Sequence, residues 1–193
     1  MATSTITKRA IATALRDLIK TTPLEQVTVS AIAERAGINR QTFYYHFHDI
    51  YDLLIWIYRN EADQTIGRVE SLGDMRCALV NCLRGLRDNR NFVVQTIHRI
   101  DTPYAYRFAY DEVSAYTRSF IEVLARGLDI SEEDLELVTR FYTVGLVETV
   151  YTWVTNGMKE EPERLAGRIM LMLQGTLEGS LDRLSGRAHG RET

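Results

Sequence analysis

Apolar residues recur at helical spacing along most of the chain, and no stretch alternates with a period of two between turn signals. From about residue 3 to residue 20 the apolar positions form one stripe, which predicts a first helix. Pro23, Pro103 and Pro162 each fall near a plausible helix end. Further helices are predicted at about 28–36, 39–47, 50–66, 74–87, 91–100, 104–127, 132–156 and 162–184. The pattern predicts an all-α fold.

The predicted helices divide into a small head and a larger body. The first three helices, within residues 1–50, are sufficient for a three-helix head with a helix-turn-helix. The helix at about 50–66 connects this head to the body and belongs to both. Residues 51–184 form the body, a larger helical bundle, and the polar segment 185–193 is predicted to be a disordered tail.

The size and cysteine content of the chain are those of an ordinary globular protein. At 193 residues the chain can bury roughly 70% of its unfolded surface without a disulfide or a metal. Cys77 and Cys82 lie in apolar helical sequence without ligand spacing, which indicates reduced thiols in or near the core. No apolar run reaches about 18 residues, and the segment after Met1 lacks the apolar block of a signal peptide. We expect a cytoplasmic protein with no membrane contact and no cofactor.

Charge is unevenly distributed along the chain. The whole carries a net charge of −3, but residues 1–47 hold six Lys or Arg against three Asp or Glu, a net of +3, which leaves −6 for the remainder. A cationic N-terminal module on an acidic body is compatible with contact to DNA at one end of the molecule. The imbalance is small, and therefore it supports other evidence and does not stand alone.

Residues 28–47, TVSAIAERAGINRQTFYYHF, are the most informative segment. A short helix capped by Thr28 precedes a turn at Gly37 and a second short helix capped by Asn39. Phe43 and Phe47 point to the core, which leaves a polar and aromatic face outside. Arginine and glutamine can hydrogen-bond to base edges, and tyrosine and histidine can bind phosphates, so this face fits the major groove of DNA. The competing interpretation is a helix face that is merely exposed to solvent. The predicted DNA-binding residues are Thr28, Asn39, Arg40, Gln41, Thr42, Tyr44, Tyr45 and His46.

Residues 5–57 resemble the N-terminal domain of the TetR family of transcriptional regulators. The resemblance rests on T-V-x-x-I-A-x-x-A-G-I from Thr28, on T-F-Y-Y-H-F from Thr42 and on D-L-L from Asp52. It implies a three-helix DNA-binding head, a helical body that senses a ligand or partner, and a homodimer that reads a palindrome-like double-stranded DNA operator. One departure is Ile50, because the family commonly has at this position a lysine that can contact a phosphate.

A second resemblance concerns a subgroup of this family. The string YYHFHDIYDLL from Tyr44, with Trp153, Gly157, Met158 and Pro162 later in the chain, is similar to the subgroup that includes the activator of dihydroxyacetone kinase operons. This similarity implies that the regulatory signal can be a protein coactivator and need not be a small molecule bound by the chain itself.

The body contains a second group of aromatic residues. Rings alternate along residues 104–110 and recur in the later helices, and an aromatic-lined cavity with a few polar groups is the usual form of a small-molecule pocket. The competing interpretation is that each ring fills a helical core or an interface. The effector-binding candidates are His98, Tyr104, Phe108, Tyr142 and Trp153.

The last two predicted helices carry stripes that suit a dimer interface. Gly145, Gly175 and Gly179 cost helix propensity, and close approach of packed helices would explain their presence. With the resemblance, this pattern favours an isologous four-helix interface, and packing within one chain is the alternative. The predicted interface residues are Tyr142, Gly145, Leu146, Thr149, Ile169, Leu173, Thr176, Leu177 and Leu181.

These expectations combine into a dimeric DNA-binding transcriptional regulator. Its operator affinity changes when a small molecule or a protein partner binds the body. The chain has no glycine-rich phosphate loop, metal-spaced cluster or nucleophile motif, and therefore we do not expect an enzyme. The alternative is a protein-interaction module with a TetR-like fold and weak or no DNA binding, which Ile50 favours. Repressor and activator remain equally open.

Overall fold

The computed structural model describes the backbone of residues 2–65, 71–97 and 102–188. These residues form ten α-helices, one short 3-10 helix and no strand, which confirms the predicted all-α fold. The α-helices are α1 (Ala2–Ile19), α2 (Val29–Arg35), α3 (Arg40–His46), α4 (Ile50–Thr65), α5 (Leu72–Asp88), α6 (Arg90–Ile97), α7 (Thr102–Leu124), α8 (Glu132–Thr155), α9 (Pro162–Leu173) and α10 (Thr176–Ala188), and the 3-10 helix is Leu24–Gln26.

The chain divides into two compact units. The head comprises Met1–Asp63 together with Asn89–Ala105, and the body comprises Gln64–Asp88 together with Tyr106–Thr193. The head therefore includes α6 in addition to the three N-terminal helices and most of α4. The hydrophobic pattern alone does not reveal this grouping, because α6 follows a helix that belongs to the body.

The head is built around two aromatic rings at the inner side of α3. Phe43 is fully buried, Phe47 is 2% exposed, and their ring centroids lie 5.9 Å apart. Leu15 of α1, Ile32 of α2 and Leu53 of α4 are fully buried in the same cluster. Burial of a side chain of this size stabilises the fold by roughly 1.5–3 kcal/mol. The inner face of α3 is therefore fixed by three other helices.

The body has its own core and its own helix caps. Phe120 and Ile121 of α7 and Leu83 of α5 are buried, and α5 packs along α9. The Ser131 hydroxyl accepts the N–H of Asp134 at 3.1 Å, as the sequence predicts for the start of α8. None of the helices within the described residues is long and apolar enough to cross a membrane.

The C-terminal region differs from the predicted single helix over 162–184. The chain breaks into α9 and α10 because Gln174 is extended and Gly175 takes a left-handed φ of 79°. The N–H of Gly179 then bonds to the carbonyl of Gly175, where the helical ladder restarts. The helix α10 continues to Ala188, beyond the predicted end at residue 184, so residues 185–188 are helical and not a disordered tail; residues 189–193 lie outside the described residues.

Candidate nucleic-acid interface

The helices α2 and α3 are held at their starts by side-chain caps and joined by a tight turn. The Thr28 hydroxyl accepts the N–H of Ala31 at 3.2 Å, and the Asn39 side chain accepts the N–H of Thr42 at 2.8 Å. Gly37 lies between them with a left-handed φ of 68°, a conformation that L-residues rarely adopt. Both caps and the turn match the interpretation of the sequence, since each depends only on neighbouring residues.

The outer face of α3 exposes large polar side chains. Tyr44 is 50% exposed and Tyr45 is 83% exposed, whereas Phe43 between Thr42 and Tyr44 is fully buried. Arg40 and Gln41 are also exposed, and Arg40 forms no ion pair within the described part of the chain. The face therefore offers a guanidinium, an amide and two phenolic hydroxyls to a partner.

Three of the predicted DNA-binding residues are partly occupied by contacts within the head. The Thr42 hydroxyl lies 3.0 Å from Asn39 Oδ1, which already accepts the Thr42 N–H. Thr28 uses one oxygen lone pair in its cap and keeps a hydroxyl proton to donate. The structure thus gives Asn39 and Thr42 a positioning role at the start of α3.

The carboxylates that follow α3 in the sequence cap the start of α4. Asp52 accepts the N–H of His48 at 3.0 Å, and Asp49 accepts the N–H of Asp52 at 2.8 Å. Burial opposes ionisation of Asp49, but the Asp52 N–H and the His48 ring outweigh it and lower the pKa of this carboxyl. Both acids therefore serve as caps, and residues 39–48 contain no acid.

A guanidinium of α1 connects three helices of the head. Arg16 of α1 donates to Asn89 Oδ1 at 3.0 Å, forms an ion pair with Glu61 of α4, and lies 4.3 Å from the ring centroid of Phe92 of α6. Burial raises the pKa of Glu61, and the charge of Arg16 opposes this rise. Sequence reasoning missed this cluster because its members are 45 and 73 residues from Arg16.

Two further contacts attach α6 to the rest of the head. The Tyr58 hydroxyl of α4 hydrogen-bonds with the Thr96 hydroxyl, and Gln95 donates to the carbonyl of Ile19 at 3.1 Å. Burial raises the pKa of Tyr58 to about 12, so this phenol stays protonated at neutral pH. The helix α6 is thereby fastened to both α1 and α4.

The predicted effector-binding residues are not gathered into a described pocket. His98 lies outside the described residues, as do the side chains of Tyr104 and Phe108. The Tyr142 hydroxyl is 3.4 Å from the Ser180 hydroxyl, and the indole N–H of the buried Trp153 donates to the carbonyl of Glu160 at 2.9 Å. Within the described chain, Trp153 therefore holds the loop that follows α8.

The predicted dimer residues fall into two groups. Leu146, Ile169, Leu173, Leu177 and Leu181 are each at most 8% exposed, which shows that they pack inside the chain and corrects their assignment to a dimer surface. Gly145, Thr149 and Thr176 are exposed, and Tyr142 is half-buried. A Cβ at Gly145 would meet nothing within 4 Å, so close approach inside the chain does not explain this glycine.

A different set of apolar residues is exposed on α8 and α9. Phe141 is 73% exposed, Leu171 is 74% exposed and Met172 is 72% exposed. Leu137 and Val144, which are 48% and 41% exposed, lie on the same stripe of α8 as Phe141 because they are four and three residues away. We name Leu137, Phe141, Val144, Leu171 and Met172 the apolar face.

Two family profiles match separate parts of the chain. Residues 11–56 match the profile described as bacterial regulatory proteins of the tetR family. Residues 74–175, more than half of the chain, match a profile of the C-terminal region of transcriptional regulators of this kind, TetR_C_8. Both profiles describe regulators and not enzymes.

Known proteins show the same relationship. The HTH-type dhaKLM operon transcriptional activator DhaS of Lactococcus lactis subsp. lactis (strain IL1403) is 35% identical over 108 residues, which are 56% of this chain but only 57% of that relative. A solved structure of the dihydroxyacetone kinase operon activator DhaS has a TM-score of 0.71 and 26% identity, and the match covers 90% of this chain and 97% of that one. The resemblance to this subgroup is confirmed.

A more distant structure shows the fold alone. FadR of Bacillus subtilis in complex with stearoyl-CoA has a TM-score of 0.61 at 19% identity, and the match covers 86% of this chain and 97% of that chain. Because the two family profiles match its N- and C-terminal regions, and α2 and α3 form a helix-turn-helix with an exposed polar face, the chain belongs to the TetR family of DNA-binding transcriptional regulators.

Proposed function

We propose that this chain is a homodimeric regulator that binds a palindrome-like double-stranded DNA operator through the outer face of α3, in the cytoplasm where a bacterial chromosome lies. The observation that carries the proposal is the exposure of Arg40, Gln41, Tyr44 and Tyr45 over a fully buried Phe43. A bidentate contact from arginine or glutamine to a base is worth about 1–3 kcal/mol of discrimination, and tyrosine hydroxyls suit phosphates.

The apolar face supports dimerisation. Its largest members, Phe141, Leu171 and Met172, carry no polar atom that would benefit from water, apart from the weak acceptor sulfur of Met172. Leu137, Phe141 and Val144 share one exposed stripe of α8, and exposed apolar patches mark interaction sites. Gly145 lies on the same side of α8 and leaves open space for a second helix. We therefore move the dimer surface from the buried leucines to the apolar face, with Gly145, Thr149 and Thr176 at its border.

Regulation requires an effector that favours one state of the dimer. The Thr143 hydroxyl of α8 is fully buried and has no hydrogen-bond partner among the described residues. A buried hydroxyl without a partner is unfavourable, and a polar ligand could supply the missing bond. A protein coactivator acting on the body remains the second source of the signal.

The names of the similar proteins supply the probes for an effector. Operator affinity is measured with and without dihydroxyacetone and, separately, stearoyl-CoA, first for the wild type and then for Thr143→Val. If one of these compounds is the effector, it is expected to change the operator affinity of the wild type, and Thr143→Val is expected to reduce this change. An unchanged affinity with both probes would exclude these two compounds and favour the protein coactivator.

The DNA-binding proposal is tested with the DNA that flanks the gene. Fluorescence anisotropy at low salt compares the wild type with Arg40→Ala and Tyr44→Ala, and each variant is expected to lose about 1–3 kcal/mol of binding free energy per protomer. Arg126→Ala, an exposed arginine of the body, is the matched control and is expected to bind like the wild type. Wild-type affinity in both α3 variants would show that the proposed face is wrong.

A further inference from the structure

A lysine of α1 is held against the aromatic residues that follow α3. The Lys8 ammonium lies 5.3 Å from the ring centroid of Phe47 and 5.9 Å from that of Trp56. The two rings contact each other edge to face, with centroids 5.8 Å apart. A cation over two ring faces is attracted by both, so this ammonium has a preferred position although its stem is flexible.

The position of this ammonium is next to the proposed DNA-binding face. The ring of Tyr45 contacts the ring of His46 at 4.9 Å, and His46 is followed by Phe47 at 6.5 Å between centroids. The rings of Tyr45, His46 and Phe47 thus follow one another, starting from the 83% exposed Tyr45. Lys8 lies against Phe47, the last of these three rings. The first turns of α1 thus bring a cation to the C-terminal end of α3.

The charge of Lys8 is not neutralised within the described part of the chain. No carboxylate there forms an ion pair with it, whereas Lys20, directly after the last residue of α1, lies 2.8 Å from Asp17. The first residue of the neighbouring α4, Ile50, is apolar and supplies no positive charge; it is half-buried against the core of the head. The His48 ring faces the Asp49 carboxylate at 3.1 Å.

We propose that Lys8 contacts a DNA phosphate at the C-terminal end of α3, and that Phe47 and Trp56 hold its ammonium in place for this contact. The proposal rests on the proposed function, because it takes the outer face of α3 as the DNA-binding surface. An ammonium donates to a phosphate oxygen as a point charge. A cation that is already ordered by the rings loses less conformational freedom when DNA binds.

The salt dependence of operator binding tests this contact. Anisotropy titrations from about 50 to about 200 mM KCl compare the wild type with Lys8→Met, which keeps an unbranched apolar stem. Each phosphate contact contributes about 0.9 to the slope of log K against log salt. A homodimer brings two copies of Lys8 to the operator, and therefore Lys8→Met is expected to reduce the slope by about 1.8. Lys8→Arg is expected to restore it.

The matched control is Lys20→Met, directly after the end of α1, which removes the same formal charge from an ion-paired lysine. Its slope is expected to equal that of the wild type. An unchanged slope in Lys8→Met would overturn the proposal, because it would show that Lys8 contacts no phosphate. An equal decrease of the slope in Lys8→Met and Lys20→Met would also overturn it, because it would reflect only the loss of net charge. If the wild type itself does not bind DNA, the proposed function fails, and this contact fails with it.

Discussion

The outer face of α3 and the apolar face of α8 and α9 both expose large side chains, but they differ in the chemistry of the exposed atoms. On α3, Tyr44 and Tyr45 end in hydroxyls and stand beside Arg40 and Gln41. On the body, Phe141 and its aliphatic neighbours offer almost only carbon. The first surface suits phosphates and base edges, whereas the second gains only by excluding water. Exposure alone therefore does not identify the partner of a surface, and the polar atoms at the ends of the side chains must be considered with it.

The largest expected effect comes from a charge placed on the apolar face. Phe141→Asp is expected to weaken dimerisation by roughly 30-fold or more, since a central aromatic anchor is worth about 2 kcal/mol or more. Sedimentation velocity over a concentration series measures the change. Asn156→Asp adds the same charge at an exposed position after α8 and is expected to stay dimeric. A Phe141→Asp protein that remains fully dimeric would contradict the assignment of this face.

A smaller effect is expected at Arg16, which connects α1, α4 and α6 within the head and is not among the proposed DNA-binding residues. Arg16→Met is expected to lower the free energy of unfolding by roughly 1–2 kcal/mol, because Glu61 and Asn89 lose a partner in a partly buried site. Urea unfolding followed by circular dichroism gives this value. At temperatures where the variant is folded, its salt slope on DNA is expected to match the wild type. A reduced slope would place Arg16 in contact with phosphates.

The pH dependence of this variant has a definite sign. Arg16 stabilises the ionised form of Glu61, whose pKa burial raises. Protonation of Glu61 removes the ion pair in the wild type, so the stability deficit of Arg16→Met is expected to be largest at neutral pH and to shrink as the pH falls through the folded-state pKa of Glu61. A deficit that is constant from neutral to acidic pH would indicate that the stacking of Arg16 on Phe92 is the main contribution.

The smallest expected effect concerns a single oxygen atom on α3. Tyr45→Phe keeps the ring but makes the side chain resemble those of the apolar face, and it is expected to cost about 1 kcal/mol of operator binding per protomer, the typical value of one hydrogen bond. Anisotropy measures the loss, and sedimentation is expected to show no change in dimerisation. Unchanged DNA affinity would mean that the ring and not the hydroxyl of Tyr45 is used.

The contrast between the two surfaces also explains what the sequence could predict. The caps at Thr28 and Asn39 and the turn at Gly37 depend on residues within a few positions, and therefore the helix-turn-helix is readable from the sequence. The stripe that contains Leu173 and Leu177 is equally apolar whether it is buried by its own chain or by a second copy. Only the tertiary structure separates these cases.

Two other features could not be derived for related reasons. Gly175 lies between segments that both have helical periodicity, and periodicity does not show that its φ is positive. The Arg16 cluster joins residues that are far apart in sequence, so no local pattern indicates it. Long-range contacts and the sign of one backbone angle are thus the parts of this structure that the pattern of residues leaves open.

Hydroxyl-radical footprinting of the wild-type protein on the flanking intergenic DNA tests the central proposal most directly. Two copies of α3 in successive major grooves predict two protected half-sites with centres about 10–10.5 base pairs apart, related by a pseudo-two-fold axis, and loss of both protections together in Arg40→Ala. A single protected patch without a symmetric counterpart, or two patches that persist in Arg40→Ala, would contradict it.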